Sequence, residues 1–231
     1  MFDLLIREGR IIDGTSQSWS RGSVGVSGDT LTVFRGDASA VEAERVIDAE
    51  NYVVCPGFID MHSHSDLMLL NNPEHEVKLR QGVTTDALGM DGLSYAPTSP
   101  GNLEQLLTYL KALNGTPPPE VRWSSVADFL GLFDGRVACN VVYFVPHAAI
   151  RVEAMGWEPR LPTAAEVARM QELARQGMRD GAFGFATGLT YPPGAYSDSD
   201  ELVSVCDAIK EYGGFYMTHA RYSLGDKLLD P

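Results

Sequence analysis

Two histidines separated by a single residue, His62 and His64, follow an apolar stretch at residues 52–61. The β-branched and aromatic residues of this stretch predict a buried strand. Alternate residues of a strand point to the same side, so both imidazoles can face one point while Ser63 faces away. One divalent metal ion could therefore accept both. The alternative is that the pair is simply polar because a strand meets a loop.

The composition limits the classes of protein to which the chain can belong. Of its 231 residues, 44% are hydrophobic, which suffices for a substantial core. The net charge of -13 argues against nucleic acid or an anionic membrane surface as a partner. The N-terminus lacks the features of a signal peptide, so we expect a cytoplasmic protein without a membrane partner. The widely spaced cysteines are expected to be reduced core residues: Cys55, Cys139 and Cys206.

The rest of the sequence divides into a β-rich beginning and a region where strands and helices alternate. Short extended segments broken by turn signals predict a small sheet within residues 1–54. After residue 54, predicted strands and helices alternate, which indicates a parallel sheet with helices packed outside it. Further strands are predicted at 82–89, 139–145, 181–187 and 214–218, and helices at 76–81, 102–113, 124–133, 163–177 and 200–212.

Polar side chains follow the ends of the predicted strands. His62 and His64 end the first strand, Asp91 follows the second, His147 ends the third and His219 ends the fifth. A (β/α)8 barrel has its site at the carboxyl ends of its strands, so we expect a barrel with these residues at one end. The alternative is a doubly wound sheet, which the lack of a glycine-rich phosphate loop after the first strand disfavours.

The strand that ends in His62 and His64 resembles the first barrel strand of the amidohydrolase superfamily. Within that superfamily, further segments resemble landmarks of D-aminoacylases, the N-acyl-D-amino-acid deacylase family. The most specific segment is residues 181–194, and the others are 81–85, 123–131, 146–151 and 213–221. The resemblance implies an α/β fold, a metal-dependent amidohydrolase (β/α)8 (TIM) barrel. About its first five β/α units would occupy residues 55–231, after a small β-rich domain at 1–54.

The same resemblance implies an activity and a metal. The reaction would be metal-dependent hydrolysis of the N-acyl (amide) bond of a small-molecule N-acyl-D-amino acid, and the cofactor would be Zn²⁺, as one or two ions. In the family, one ion is held by a ligand from strand two and by the histidine that His219 matches. The pair matched by His62 and His64 belongs to a second, weaker site. Asp91 stands where the family usually has cysteine, and a carboxylate is a harder ligand that can bridge two ions.

Three residues are candidates for contact with the substrate. Tyr191 follows the fourth strand, where its phenol can hydrogen-bond substrate or pack against the prolines behind it. His147 and Arg151 lie at a corner where the family has a glycine-flanked histidine. Here a proline and an alanine replace those glycines, so a structural role for both residues stays open. His75, at the start of a predicted helix, is expected on the solvated surface.

Two alternatives to the deacylase remain. A cyclic-amide hydrolase of the dihydropyrimidinase or hydantoinase kind shares the paired histidines but typically has a carboxylated lysine on strand four. The matching segment, residues 181–191, contains no lysine. The second alternative is a catalytically silent truncated fragment that acts only as a binding or assembly chain.

The sequence also predicts an incomplete barrel. Residues 222–231 are polar and indicate no further strand, and no histidine follows His219. By resemblance, strands six to eight should supply another metal-ligand histidine and an aspartate, the general base, which is expected beyond residue 231. Loss of a general base alone costs about 10²- to 10⁴-fold in rate. We expect the purified 231-residue polypeptide to fold poorly and to show no deacylase turnover. Zinc-dependent turnover by a monomer with a sharp thermal transition would contradict this.

Overall fold

The computed structural model describes residues 1–221. The backbone separates into two compact units, Met1–Gly57 and a second unit that begins at Phe58. The boundary predicted between residues 54 and 55 lies just before this division. No helix in the described part of the chain is long and apolar enough to cross a membrane. The polar segment at 222–231, with Asp226 and Asp230, lies outside the described residues.

The first unit is built around a small sheet. Its strands are β1 (Phe2–Ile11), β2 (Ser20–Ser27), β3 (Thr30–Phe34), β4 (Ala43–Asp48) and β5 (Val53–Val54). β1 pairs antiparallel with β2 and parallel with β4 and β5. The β2–β3 hairpin turns at Gly28, whose φ of 57° is a left-handed conformation that glycine adopts without a Cβ clash. The small sheet expected here is therefore present.

The second unit contains a parallel sheet whose strands follow one another in chain order. They are β6 (Phe58–Asp60), β7 (Val83–Leu88), β8 (Asn140–Pro146), β9 (Gly184–Gly188) and β10 (Phe215–His219). All neighbouring pairs are parallel. Within residues 58–221 the strand order never reverses, whereas a doubly wound sheet reverses at its switch point. The structure therefore contradicts the doubly wound alternative.

Helices connect these strands and pack against them in the core. They are α1 (Met68–Asn71), α2 (Glu76–Leu79), α3 (Pro100–Tyr109), α4 (Lys111–Asn114), α5 (Val126–Gly131), α6 (His147–Met155), α7 (Ala164–Arg179) and α8 (Ser199–Ile209). Alternate residues of β8 pack on opposite faces: Tyr143 and Val145 join the helices, whereas Phe144 joins a smaller apolar cluster. A capping box begins α7, because Thr163 and Glu166 cap each other's backbone N–H groups.

The first predicted strand differs from expectation. Residues 52–61 form two short strands, β5 and β6, on either side of Pro56 and Gly57. Phe58 and Ile59 each keep 58% of their surface exposed, so the prediction of a buried strand is wrong for them. The physical reason is that β6 pairs only with β7 among the described strands, which leaves its other edge uncovered.

The cysteines agree with expectation only in part. All three are free thiols, as predicted. Cys139 is buried and Cys206 is half-buried, but Cys55 is exposed, so its assignment to the core is wrong. Cys55 lies beside Pro56 in the break between β5 and β6, so it is not part of the continuous buried strand that was predicted.

Helix α6 was not predicted, and it brings a buried ion pair into the core. His147 and Arg151 are four residues apart and therefore share one face of the helix. The Arg151 guanidinium donates Nη1–H to Glu201 Oε2 at 2.8 Å, and His147 Nε2 lies 2.7 Å from Glu201 Oε1. All three side chains are almost completely enclosed. Burial lowers the pKa of Arg151, and the negative charge of Glu201 opposes that shift.

Glu201 should therefore be essential for stability. We expect Glu201→Gln to destabilise the protein by about 3–5 kcal/mol, because it leaves the Arg151 charge buried without a partner. Urea unfolding monitored by circular dichroism measures this. Asp207→Asn is the matched control, since it removes the exposed ion pair with Lys210 and should leave stability nearly unchanged. Equal unfolding midpoints for Glu201→Gln and the unmodified protein would contradict a role of the ion pair in stability.

Candidate metal centre

Four side chains predicted as metal ligands meet at the carboxyl edge of the parallel sheet. His62 Nε2 lies 3.3 Å from Asp91 Oδ1, and His64 Nε2 lies 3.3 Å from Asp91 Oδ2. His219 Nδ1 lies 3.6 Å from Asp91 Oδ2. One donor atom each from His62, His64 and Asp91 lies within 4.8 Å of the others. The carboxylate of Asp91 is thus the centre of the group.

The positions of these residues require a curved sheet. His62 and His64 follow β6, whereas His219 ends β10, four strand spacings away. In a flat sheet that separation would be about 19 Å. Because side chains from both strands contact Asp91, the sheet must curl so that its outer strands approach each other at this end.

The backbone that carries Asp91 depends on close packing against β9. Asp91 has a φ of 56°, which is a left-handed conformation that only a few residue types adopt readily. A Cβ on Gly92 would lie 2.7 Å from Ala186 O, and one on Gly188 would lie 2.3 Å from Asp91 O. Glycine at both positions therefore lets the segment after β7 reach the end of β9 and directs the Asp91 carboxylate toward the histidines.

The electrostatics of the group suit a cation. Burial raises the pKa of Asp91, but the hydrogen bond with His64 and the charges of His62 and His219 hold that pKa below its ordinary value. Asp91 is therefore ionised at neutral pH. Its Oδ1 atom is buried and accepts no hydrogen bond from any described residue. A buried carboxylate oxygen without a donor is costly unless a positive charge lies beside it.

The donor set also fits a divalent metal in type and spacing. Imidazole nitrogen and carboxylate oxygen are ligands of zinc and of other divalent transition metals. Two donors at about 2.0–2.2 Å from a tetrahedral ion lie about 3.3–3.6 Å apart. The distances from Asp91 to the three histidines fall in this range. The residues present can therefore hold an ion without a large rearrangement.

Tyr191 lies beside the metal centre, as a substrate contact requires. Its ring centroid is 5.1 Å from that of His219, and the side chain is half-buried. Tyr191, Asp91, His147 and Gly194 line a narrow cavity that is too small to hold a water molecule. The loop that carries Tyr191 is held by Arg221, which donates Nη2–H to Ser197 O at 2.9 Å.

His147 and Arg151 occupy the interior beneath this cavity. His147 turns Nε2 to Glu201, while its Nδ1 atom has no hydrogen-bond partner among residues 1–221. The guanidinium of Arg151 bonds Glu201 and Arg160 O and has no exposed surface. This enclosure favours the structural role that the sequence left open for Arg151.

Sequence reasoning missed Glu201, the residue that joins these two. Glu201 is the third residue of α8, behind the N-cap Asp198, and such a pattern favours a solvated helix start. Asp198 does accept the backbone N–H of Glu201, but the Glu201 side chain turns inward. The sequence around Glu201 therefore gave no indication that this carboxylate is buried.

A second polar network lies behind the paired histidines and corrects the prediction for His75. His75 is 7% exposed, and its Nε2 atom lies 3.1 Å from Asp86 Oδ2. Asp86 is fully buried on β7 and also accepts from Ser63 Oγ and Lys78 Nζ. The expected solvated position of His75 is therefore wrong, because a buried carboxylate draws donors inward. A charged residue within a predicted strand was the available signal.

Comparisons with known proteins identify the family of the chain. The sequence matches the amidohydrolase family over residues 45–230. A D-aminoacylase of Alcaligenes xylosoxydans xylosoxydans is 37% identical over 221 residues, which are 95% of this chain and 44% of that protein. A crystal structure of a D-aminoacylase, described as defining a novel subset of amidohydrolases, superposes with a TM-score of 0.81 at 36% identity. It covers 96% of this chain and 46% of that one.

A third relative was solved with ligands. It is an N-acyl-D-glutamate deacylase from Bordetella bronchiseptica, complexed with zinc and a phosphonate inhibitor that mimics the tetrahedral intermediate. Its TM-score is 0.83 at 34% identity, over 96% of this chain and 45% of that one. The chain thus spans less than half the length of these relatives. The matched residues, together with the curled parallel sheet and the separate small sheet, show that this chain belongs to the amidohydrolase family. It is similar to the D-aminoacylases of that family.

Proposed function

We propose that the protein hydrolyses the N-acyl bond of N-acyl-D-amino acids in a metal-dependent reaction. The observation that carries this proposal is the convergence of His62, His64 and His219 on the ionised carboxylate of Asp91. The named relatives, a D-aminoacylase and an N-acyl-D-glutamate deacylase, support the choice of substrate class. In this proposal, the described strands are part of a (β/α)8 barrel whose carboxyl end holds the site.

We infer that the centre takes Zn²⁺, as one ion or two. The two oxygens of Asp91 face different imidazoles, Oδ1 toward His62 and Oδ2 toward His64 and His219. Such a carboxylate can serve one ion or lie between two. When bound, a divalent ion acidifies water and polarises a carbonyl oxygen, and both effects favour amide hydrolysis. Because a carboxylate is a harder ligand than a thiolate, the site should accept zinc yet hold manganese or cobalt comparatively well.

The remaining residues would bind and orient the substrate. An N-acyl amino acid carries a carboxylate, and the Tyr191 hydroxyl can donate a hydrogen bond to it. The nearby Arg221 is already committed to backbone carbonyls at Leu189 and Ser197, so it fixes the loop. His147 lines the cavity beneath Tyr191 and supports the same loop, since a Cβ on Gly194 would lie 3.3 Å from its Nδ1.

The alternatives explain the structure less well. A cyclic-amide hydrolase with a carboxylated lysine would need that lysine at the end of β9, where the sequence has none. A silent binding or assembly chain would have no need for an ionised carboxylate between three histidines. Turnover of N-acetyl-D-amino acids by the full gene product, compared with their L-enantiomers and with a hydantoin, separates these functions. Hydrolysis of the hydantoin alone would favour the cyclic-amide hydrolase, and no turnover of any substrate would favour the silent chain.

Asp91→Asn, made in the full gene product, tests the centre directly. The amide is a weak ligand without charge, so we expect the variant to fold normally but to lose tight metal retention and all measurable deacylase activity. Metal content by mass spectrometry and turnover by amine release are the measurements. Asp134→Asn, which alters an exposed carboxylate in a loop, is the control and should change neither. Full activity with full metal content in Asp91→Asn would show that Asp91 only stabilises its turn.

Tyr191→Phe tests the substrate contact. A hydrogen bond to a charged group contributes about 1.5–3 kcal/mol, so its loss should raise KM about tenfold to a hundredfold with kcat largely retained. Tyr196→Phe is the control, because Tyr196 belongs to the same loop but is 37% exposed. Steady-state kinetics with an N-acetyl-D-amino acid provide both values. An unchanged KM would indicate that Tyr191 only packs against the prolines that follow it.

A further inference from the structure

The network behind the paired histidines is built on the buried carboxylate of Asp86. This side chain has no exposed surface. Lys78 Nζ donates to its oxygens at 2.8 and 2.9 Å, and Ser63 Oγ donates to Oδ1 at 2.6 Å. With the His75 ring at 3.1 Å, both oxygens are fully occupied. Asp86 belongs to the same strand, β7, that leads to Asp91.

Lys78 joins this carboxylate to a second one. Its Nζ atom lies 2.9 Å from Asp60 Oδ2, and Asp60 is the register partner of Asp86 on the neighbouring strand. Burial lowers the pKa of Lys78. Its hydrogen bonds to Asp86 and Asp60 outweigh this effect, so the net pKa is above the ordinary value. Lys78 is therefore an ammonium that holds two strand-borne carboxylates together.

Both carboxylates also hold the segment that carries the histidines. The backbone N–H of His62 donates to Asp60 Oδ1 at 3.1 Å. Ser63, between the two histidines, donates to Asp86 Oδ1. The segment is thus held at the His62 backbone and at the Ser63 side chain, by contacts that leave both imidazoles free to face Asp91.

We propose that Lys78, acting through Asp60 and Asp86, is a positioning residue that orients His62 and His64 for metal binding. This inference rests on the proposed function, since it concerns the same centre. Mutation of residues that orient metal-binding histidines typically lowers metal affinity by about 10- to 100-fold. Lys78 also lies 3.2 Å from Ser65 Oγ, but a protonated amine has no lone pair with which to activate a serine. Its role is therefore orientation rather than covalent chemistry.

The test compares Zn²⁺ affinity among variants of the purified protein. The His62→Ala/His64→Ala double variant first identifies the class of ion that these histidines hold. Lys78→Met removes the ammonium and leaves Asp60 and Asp86 to repel each other, while Ser63→Ala removes only the link to the histidine segment. We expect the affinity of that class of ion to fall at least tenfold in both, measured by competition with a chelator. When loaded with Co²⁺, both variants should also show a visible spectrum that differs from that of the unmodified protein.

Ser125→Ala is the matched control. It removes one serine hydrogen bond, the cap of α5, in the same unit but away from the histidines. It should lower the unfolding midpoint without changing Zn²⁺ affinity. If Lys78→Met does not fold, Ser63→Ala alone decides the question, because it removes no charge.

The outcomes separate this inference from the proposed function. If Ser63→Ala binds Zn²⁺ with unchanged affinity and spectrum, the positioning role is overturned and the metal centre stands. If the unmodified protein and the double histidine variant bind Zn²⁺ equally, the metal centre itself is wrong and the positioning role falls with it. A tenfold loss in Ser63→Ala, with none in Ser125→Ala, supports the proposal.

Discussion

The close approach of the segment after β7 to the end of β9 determines the whole site. Gly92 and Gly188 allow the two backbones to touch at distances that no Cβ would permit. This contact places Asp91 in a left-handed conformation, with its carboxylate among three imidazoles. The histidines come from the two outer strands of the described sheet, so neither could meet the other without this central ligand. A methyl group at Gly188 would displace Asp91 and thereby separate the ligands.

Paired charges surround this contact. Asp91 faces His62, His64 and His219, whereas Asp86 faces Lys78 on the other side of the histidine segment. Each buried carboxylate is unfavourable alone. Asp86 accepts hydrogen bonds at both oxygens, whereas Asp91 keeps a buried Oδ1 without a donor among the described residues. Networks such as that of Asp86 contribute little net stability, because desolvation offsets most of the attraction. They provide orientation, since a carboxylate whose two oxygens are both bonded holds its partners in place.

The sequence predicted the parts of the site that depend on local periodicity. His219 ends β10 as predicted, whereas the strand that was expected to end in His62 and His64 stops at Asp60, so that both histidines lie in the segment after β6. Glu201, by contrast, meets its partners His147 and Arg151 across 54 and 50 residues, and its local pattern indicated a helix cap. The burial of His75 depends on Asp86 in the same way. The exposure of Phe58 could not be predicted from the sequence either, because the position of a strand at the edge of a sheet depends on the other strands.

The distribution of ligands along the chain couples metal binding to the curvature of the sheet. His64 follows β6 and His219 ends β10, and a flat sheet would hold these strands about 19 Å apart, so an ion between them would favour only the curled form. Binding energy for a metal is folding energy wherever the site does not exist in the unfolded chain. An ion held by ligands from β6, β7 and β10 would therefore stabilise the contacts between the outer strands more than any single strand. The same coupling explains why orientation of the β6 histidines matters: a misdirected imidazole loses a ligand and also releases one edge of the sheet from the other.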